Sequence, residues 1–132
     1  SDAYGFENSL KPLLKGDEKY ALILGTGGAS KAVAFVLDKL KIDYKYVSRS
    51  SKNNKTITYQ QLDEQIIKQS GLIVNCTPLG TYPNVEVCPD IPYKFLKEHH
   101  ILYDLIYNPA LTSFLKKGKE QGCTVKNGEE ML

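Results

Sequence analysis

At 132 residues, 42% hydrophobic and 24% charged, the chain carries enough apolar material for one ordinary core and hardly for two. Its formal charge of +2 excludes the large basic excess of a dedicated nucleic-acid binder, so any basic site is local. Cys76, Cys88 and Cys123 form no C-x-x-C pair and leave an odd count, which indicates neither a disulfide framework nor a zinc site and fits a reducing, cytoplasmic compartment. No apolar run reaches membrane-spanning length, and the charged N-terminal stretch does not read as a signal peptide.

Residues 2–14 predict a short helix, with Asp2 as its N-cap and Phe6, Leu10, Leu13 and Leu14 on one side; Pro12 kinks it or ends it near Lys11. After a polar loop, residues 20–24 (Y-A-L-I-L) are apolar without alternation, as in a strand covered on both faces of a parallel sheet. The run ends in Gly25, Thr26, Gly27, Gly28, Ala29 and Ser30, and a helix follows in which Ala29, Val33, Val36, Leu37 and Leu40 share a face. Gly25 permits a tight turn, Gly27 admits a pyrophosphate close to the backbone, and N–H groups at the helix start attract the anion. Ser30 takes the third small position of G-x-G-x-x-G, and no G-K-[ST] closes the turn as in a Walker loop. The competing reading is a plain strand-to-helix connection whose glycines serve only their backbone angles.

Residues 43–47 (D-Y-K-Y-V) predict a second strand. An NAD-binding domain usually has an acid at the end of this strand, but here Ser48, Arg49, Ser50, Ser51 and Lys52 follow. Arg49 can grip a 2′-phosphate with two parallel N–H bonds and Lys52 adds a point charge, which favours NADP over NAD; alternatively both are solvated residues of a polar loop. Residues 56–59 predict a third strand reached by an extended crossing, then a helix carrying Leu62, Ile66 and Ile67 that stops at Gly71.

Residues 72–76 (L-I-V-N-C) read as a buried strand that turns sharply at T-P-L-G, which puts Asn75 and Thr77 where a cofactor ribose would lie; Asn75 could equally bond its own backbone and hold the loop. Residues 81–92 are loop, and His99 and His100 read as surface residues. Residues 101–106 predict a fifth strand, with Tyr107 at the same carboxyl edge, near the reacting centre or packed under the loop. Thr112 can cap a helix with Leu111, Phe114, Leu115 and Gly118 on one face and Lys116, Lys117 and Lys119 complementing its negative end. A short strand at 123–125, a turn at Asn127 and Gly128, and the first turn of a helix at 129–132 complete the chain. The alternation predicts an α/β, Rossmann-like fold: a doubly wound, mostly parallel sheet with helices on both faces.

Six blocks occur in a fixed order: D-A-Y-G-F from Asp2, G-T-G-G-A-S from Gly25, S-R-S from Ser48, V-N-C-T-P-L-G from Val74, Y-D-L-I-Y-N-P from Tyr103 and N-G-x-x-M-L from Asn127. In these the chain resembles, over nearly its whole length, the C-terminal, NADP-binding domain of the shikimate dehydrogenase family, which reduces 3-dehydroshikimate to shikimate with NADPH on the chorismate route to aromatic amino acids. The resemblance implies that residues 25–29 bind the pyrophosphate and residues 48–53, above all Arg49, the 2′-phosphate. It implies that Thr77, Leu105 and Gly128 line the nicotinamide half. Asp2 would work with a lysine on the substrate hydroxyl as part of a general-acid pair, and Tyr107 would touch the shikimate.

That lysine and most of the substrate site belong to an N-terminal domain outside these residues, and a glutamine on the last helix, just past Leu132, is also outside them. The fragment is therefore expected to be inactive alone. The family's usual asparagine at Ser48 is replaced, and only Ser1 stands before Asp2 in place of an asparagine and a threonine. Two other readings stay open, a non-catalytic NADPH-sensing module and a quinate dehydrogenase relative using NAD, although the latter leads one to expect an acid after the second strand.

Overall fold

The structure, a computed structural model, describes residues 2–132; Ser1, and with it the family's missing Asn-Thr pair, lies outside them. The strands are β1 (Tyr20–Leu24), β2 (Asp43–Ser48), β3 (Thr56–Thr58), β4 (Leu72–Asn75), β5 (Ile101–Asp104) and β6 (Thr124–Lys126). All pair in parallel, in the order β3-β2-β1-β4-β5-β6. The helices are α1 (Asp2–Leu10), α2 (Gly28–Lys39), α3 (Glu64–Gln69) and α4 (Ser113–Glu120). The sheet is therefore wholly parallel and doubly wound, and its order reverses between β1 and β4.

Side-chain alternation along the strands sorts the core into two layers. Ala21, Ile23, Val74 and Tyr103 pack with Phe6 and Leu10 of α1 and Val33 and Leu37 of α2. On the other face, Leu22, Leu24, Ile73 and Leu102 pack with Ile67 of α3 and Phe114 and Leu115 of α4. Unbroken apolar strands follow from this two-sided cover. Helix α1 is pinned to the sheet by the Tyr103 ring, edge-on to Phe6 at 4.9 Å, and by a 2.5 Å bond between the Tyr103 and Ser9 hydroxyls. It ends at Leu10 in a short 3-10 turn over Lys11–Leu13, as Pro12 requires. Asp2 is the first helical residue rather than the cap.

The β2-to-β3 connection contains no helix. Side chains fold it instead: Ser51 Oγ donates to the Thr56 carbonyl at 2.8 Å, and Asn53 Oδ1 accepts from Lys55 N–H at 2.8 Å. Where a covering helix is missing, Lys31 lies 4.4 Å over the Tyr46 ring and Lys55 4.4 Å over Tyr44. Helix α3 starts at an Asp63 cap whose carboxylate accepts from Ile66 N–H at 2.9 Å. It ends at Ser70, whose hydroxyl donates to the Ile66 carbonyl at 2.6 Å, so Gly71 is not a left-handed cap. Strand β5 stops two residues earlier than its apolar run suggests, because Asp104 Oδ1 accepts from Ile106 N–H at 3.0 Å and bends the chain.

Two further expectations are corrected. Leu111 points outward, 45% exposed, because the cap geometry at Thr112 begins the buried face at Phe114. His100 is not a surface residue: it is fully buried, its Nδ1 accepts from Lys97 N–H at 2.8 Å and its Nε2–H donates to the Ile67 carbonyl at 2.7 Å. The ring thus ties the β5 entrance to α3 as a neutral imidazole. No helix among the described residues is long and apolar enough to cross a membrane.

Burial pushes the His100 pKa below its usual value, more than its hydrogen bond to Ile67 pulls it up. The unfolded chain then takes up this proton first, so the stability tied to neutral His100 is complete above about pH 6.5 and declines as pH falls below it. An NMR titration should place the His100 midpoint under that value; a midpoint at or above it would contradict the buried, neutral assignment.

Candidate functional site

The carboxyl ends of β1 and β4 lie side by side with their chains leaving in opposite directions, which opens a crevice at the switch point. Gly25 forms the corner after β1, at φ +101°, and its N–H donates to the Val47 carbonyl at 2.9 Å. A Cβ there would stand 3.1 Å from the Thr77 methyl and 3.4 Å from the Cys76 carbonyl carbon, so the conformation favours glycine and the space beside it is tight. Gly27 and Gly28 differ. Gly27 has an ordinary backbone conformation, and a Cβ on either residue would meet nothing within 4 Å. The protein itself does not demand these glycines, and the space they leave opens onto the start of α2.

No side chain caps α2. Gly27, its N-cap, and Ala29, in its first turn, line the cavities at this corner, where an anion site would need free N–H groups. Ser30, fully buried, donates from both N–H (3.1 Å) and Oγ (2.5 Å) to the Gly27 carbonyl and so fixes the turn from behind. Thr26 and Ala29 are exposed on either side of the glycine pair.

Two cavities meet at this corner. The larger, about 650 Å³, runs from Gly25, Thr26 and Gly27 to Ser48 and Arg49, with Tyr59 and Asp90 on its walls. Arg49 is exposed and makes no hydrogen bond or ion pair with any described residue. Of the predicted phosphate-binding group, Ser48 and Arg49 reach the cleft, whereas Ser50 and Lys52 stay on the exposed crossing loop outside its lining. Fit for a dinucleotide phosphate is thus carried by three features of this chain: the space beside Gly27 and Gly28, the uncapped helix start and the unpartnered guanidinium.

The second cavity, about 550 Å³, is lined by Ala29, Thr77, Leu105, Ile106 and Tyr107 among others. Cys76, Thr77 and Pro78 border both cavities and form the ridge between them. Beneath the ridge lies a saturated polar cluster. Asn75, fully buried, accepts on Oδ1 from Thr77 N–H (3.0 Å) and Thr77 Oγ1 (2.7 Å), and its amide donates to Asp104 Oδ1 at 3.1 Å. Asp104 Oδ2 accepts from Thr112 Oγ1 at 2.7 Å, and Thr112 in turn caps α4. Asn75 therefore lies under the site rather than in it, the loop-holding alternative, and orients Thr77.

Gly128 is likewise displaced from the expected lining. It is buried behind Leu105, where a Cβ would fall 2.0 Å from the Leu105 carbonyl oxygen, and its N–H donates to Ile106 O at 3.2 Å. Tyr107 stands 49% exposed at the cavity rim. Asp2 is exposed at the start of α1 and lines neither cavity.

Reading the sequence by element missed Asp104, although one acid in the apolar run 101–106 was a visible signal. Burial raises its pKa from 3.8 to about 6, against the hydrogen bonds from Thr112, Ile106 and Asn75 that pull it down. Burial, with the Asp104 charge, also pushes the Cys76 thiol up to about 12, so this sulfur on the ridge stays protonated and unreactive.

The fold and this corner define a doubly wound dinucleotide-binding domain. Comparison with known proteins narrows the class. Shikimate dehydrogenase (NADP(+)) of Methanosphaera stadtmanae is 34% identical over 148 aligned positions, which take in 100% of this chain and 52% of that protein. Shikimate dehydrogenase 1 of Peptoclostridium difficile superposes with a TM-score of 0.82 at 34% identity, covering 98% of this chain and 49% of that one. The Thermus thermophilus enzyme, solved with NADP(H) and shikimate, gives 0.81 at 27% identity over 98% and 51% of the two chains. No family model matches the chain. The chain spans about half the length of the curated relatives it matches. In sequence and fold it is similar to a C-terminal-type portion of shikimate dehydrogenases.

The Asp104 cluster yields a test of its electrostatics. Because the folded-state pKa is raised, the penalty for the buried charge is absent near pH 4 and complete above about pH 6. Asp104→Asn removes the charge and keeps an acceptor. Its unfolding free energy relative to the parent chain should rise by about 3 kcal/mol across that window and then level off. Urea unfolding at a series of pH values measures it, and a flat difference would mean that Asp104 titrates as an exposed carboxylate does.

Proposed function

We propose that this chain is the NADP-binding domain of a shikimate dehydrogenase, acting with a substrate domain that lies outside these 132 residues. The observation that carries the reading is the pairing, in one cleft, of an open and uncapped glycine corner with an unpartnered guanidinium. The relatives' NADP(+) designation and the NADP(H) bound by the Thermus protein support it. Bound NADPH would supply the hydride that converts 3-dehydroshikimate into shikimate in aromatic amino acid biosynthesis.

The chain's own residues then divide the work. Gly25, Thr26, Gly27, Gly28 and Ala29 hold the pyrophosphate on backbone N–H groups. Arg49 takes the 2′-phosphate, with Ser48 beside it and Ser50 and Lys52 contributing from the loop. Thr77 and Leu105 bound the nicotinamide side, Asn75 acting through Thr77 and Gly128 through Leu105. Asp2, with a lysine from the substrate domain, holds and orients the proton delivered to the substrate oxygen, a general-acid role, and Tyr107 contacts the shikimate. The free thiols Cys76, Cys88 and Cys123 accord with a cytoplasmic setting.

Calorimetric titration with NADPH and NADH tests the cofactor assignment. NADPH should bind more tightly, and Arg49→Ala should weaken it at least about tenfold while changing NADH little, as loss of one charged hydrogen bond implies. A folded chain that binds neither nucleotide would overturn the reading. Mixed with NADPH and 3-dehydroshikimate, the 132-residue chain should give no steady loss of NADPH absorbance; sustained turnover would show that the missing lysine is not required.

A further inference from the structure

The larger cleft holds a second unpartnered charge, opposite in sign to Arg49. Asp90, on the long connection between β4 and β5, lines the same cleft and is exposed. It makes no hydrogen bond or ion pair with any described residue, so the two charges face one space without meeting.

Asp90 is held firmly. Pro89 and Ile91 on either side of it are buried. The Pro89 carbonyl accepts from Ile91 N–H at 3.0 Å, closing a three-residue turn with Asp90 at its tip, and accepts again from the Tyr93 hydroxyl at 2.7 Å. A carboxylate presented in this way loses little further freedom on meeting a ligand. The Tyr59 ring lies within electrostatic range of both charges: burial raises its hydroxyl pKa most, Arg49 lowers it and Asp90 raises it.

A carboxylate only accepts hydrogen bonds, so whatever meets Asp90 must donate. On the adenosine half of NADP the donors are the 6-amino group of the base and the ribose hydroxyls. The 2′-phosphate is drawn to Arg49 and repelled by Asp90, which sends the phosphorylated ribose to the Arg49 wall. The base is left for the part of the cleft that Asp90 lines, beside the flat side chain of Tyr59. We propose that Asp90 accepts a hydrogen bond from the adenine 6-amino group and thereby sets this cleft's preference for an adenine base. The inference rests on the NADP reading above and adds to it the residue that reads the base.

The test compares NADPH with its hypoxanthine counterpart, in which a carbonyl replaces the 6-amino group, by titrating the whole 132-residue chain. The parent chain should bind NADPH about tenfold more tightly, the effect of one charge-assisted hydrogen bond at a partly solvated site. Asp90→Ala should remove the difference by weakening NADPH alone, and Asp90→Asn, which keeps an acceptor oxygen, should fall between. Equal affinity of the parent chain for the two nucleotides would overturn the inference. So would an Asp90→Ala variant that weakens both alike, which is a loss of cleft shape, or one that strengthens NADPH, which is relief of phosphate repulsion. A parent chain that binds NADPH without base preference defeats this inference alone, whereas one that binds neither nucleotide defeats the NADP reading with it.

Discussion

The approach of β4 to the corner after β1 is the constraint on which the site depends. Cys76 N–H donates to the Leu24 carbonyl at 2.9 Å, which carries the pairing of the two strands one residue past their ends. At that point Gly25 takes a positive φ with the Thr77 methyl against it, so any other residue would be strained in its backbone and crowd the Thr77 side chain. Because the chain leaves β1 toward β2 and β4 toward β5, no connection crosses the crevice and its floor stays open. Cys76, Thr77 and Pro78, pressed up by the same contact, become the ridge shared by both cavities. A single close packing event thus fixes the corner, the ridge and the distance between the two halves of the site.

What holds the ridge at a constant height is the polar cluster under it. The Asn75 amide is used at both ends, toward Thr77 and toward Asp104, and Asp104 spends its oxygens on three different segments. Among the described residues no buried side-chain polar atom lacks a partner, so the cluster is complete without water. Truncating one member would strand the others at about 1–3 kcal/mol each, which makes the geometry a collective property. The raised Asp104 pKa indicates that these bonds do not fully offset the desolvation of the carboxylate. The cluster trades some stability for a fixed register of the Thr77 and Leu105 loops.

Much of the fold was legible because period and punctuation agreed: apolar runs for β1, β4 and β5, a glycine corner, a proline stop after α1 and a threonine cap on α4. That the glycine corner and Arg49 gather at one edge of the sheet was legible for the same local reason, each lying within a few positions of a strand end. Other placements were not legible. His100 and Gly128 owe their surroundings to segments far away in sequence, Ile67 and Leu105 respectively; for Asn75 the local bond to Thr77 was an open alternative, but its distant partner Asp104 was not foreseen. Nothing in the local pattern distinguishes a polar residue that closes such a contact from one that faces solvent. The helix-free crossing to β3 was legible as an oddity, but its solution was not, since Lys31 over Tyr46 comes from another element.

The two isolated charges in the larger cleft carry the same logic one step further. An exposed arginine and aspartate that meet gain up to about 1 kcal/mol, set against the entropy of holding two side chains in one geometry. Here Asp90 is held in a turn between buried neighbours, and Arg49 follows directly from a strand end. The two charges line one cleft and form no ion pair with each other. Groups held unpaired in this way meet a ligand without first breaking a bond to each other, so their full interaction is available to it. That condition suits a polyanionic nucleotide with a hydrogen-bond donor at its far end better than a neutral metabolite, which would leave at least one of the two charges unanswered.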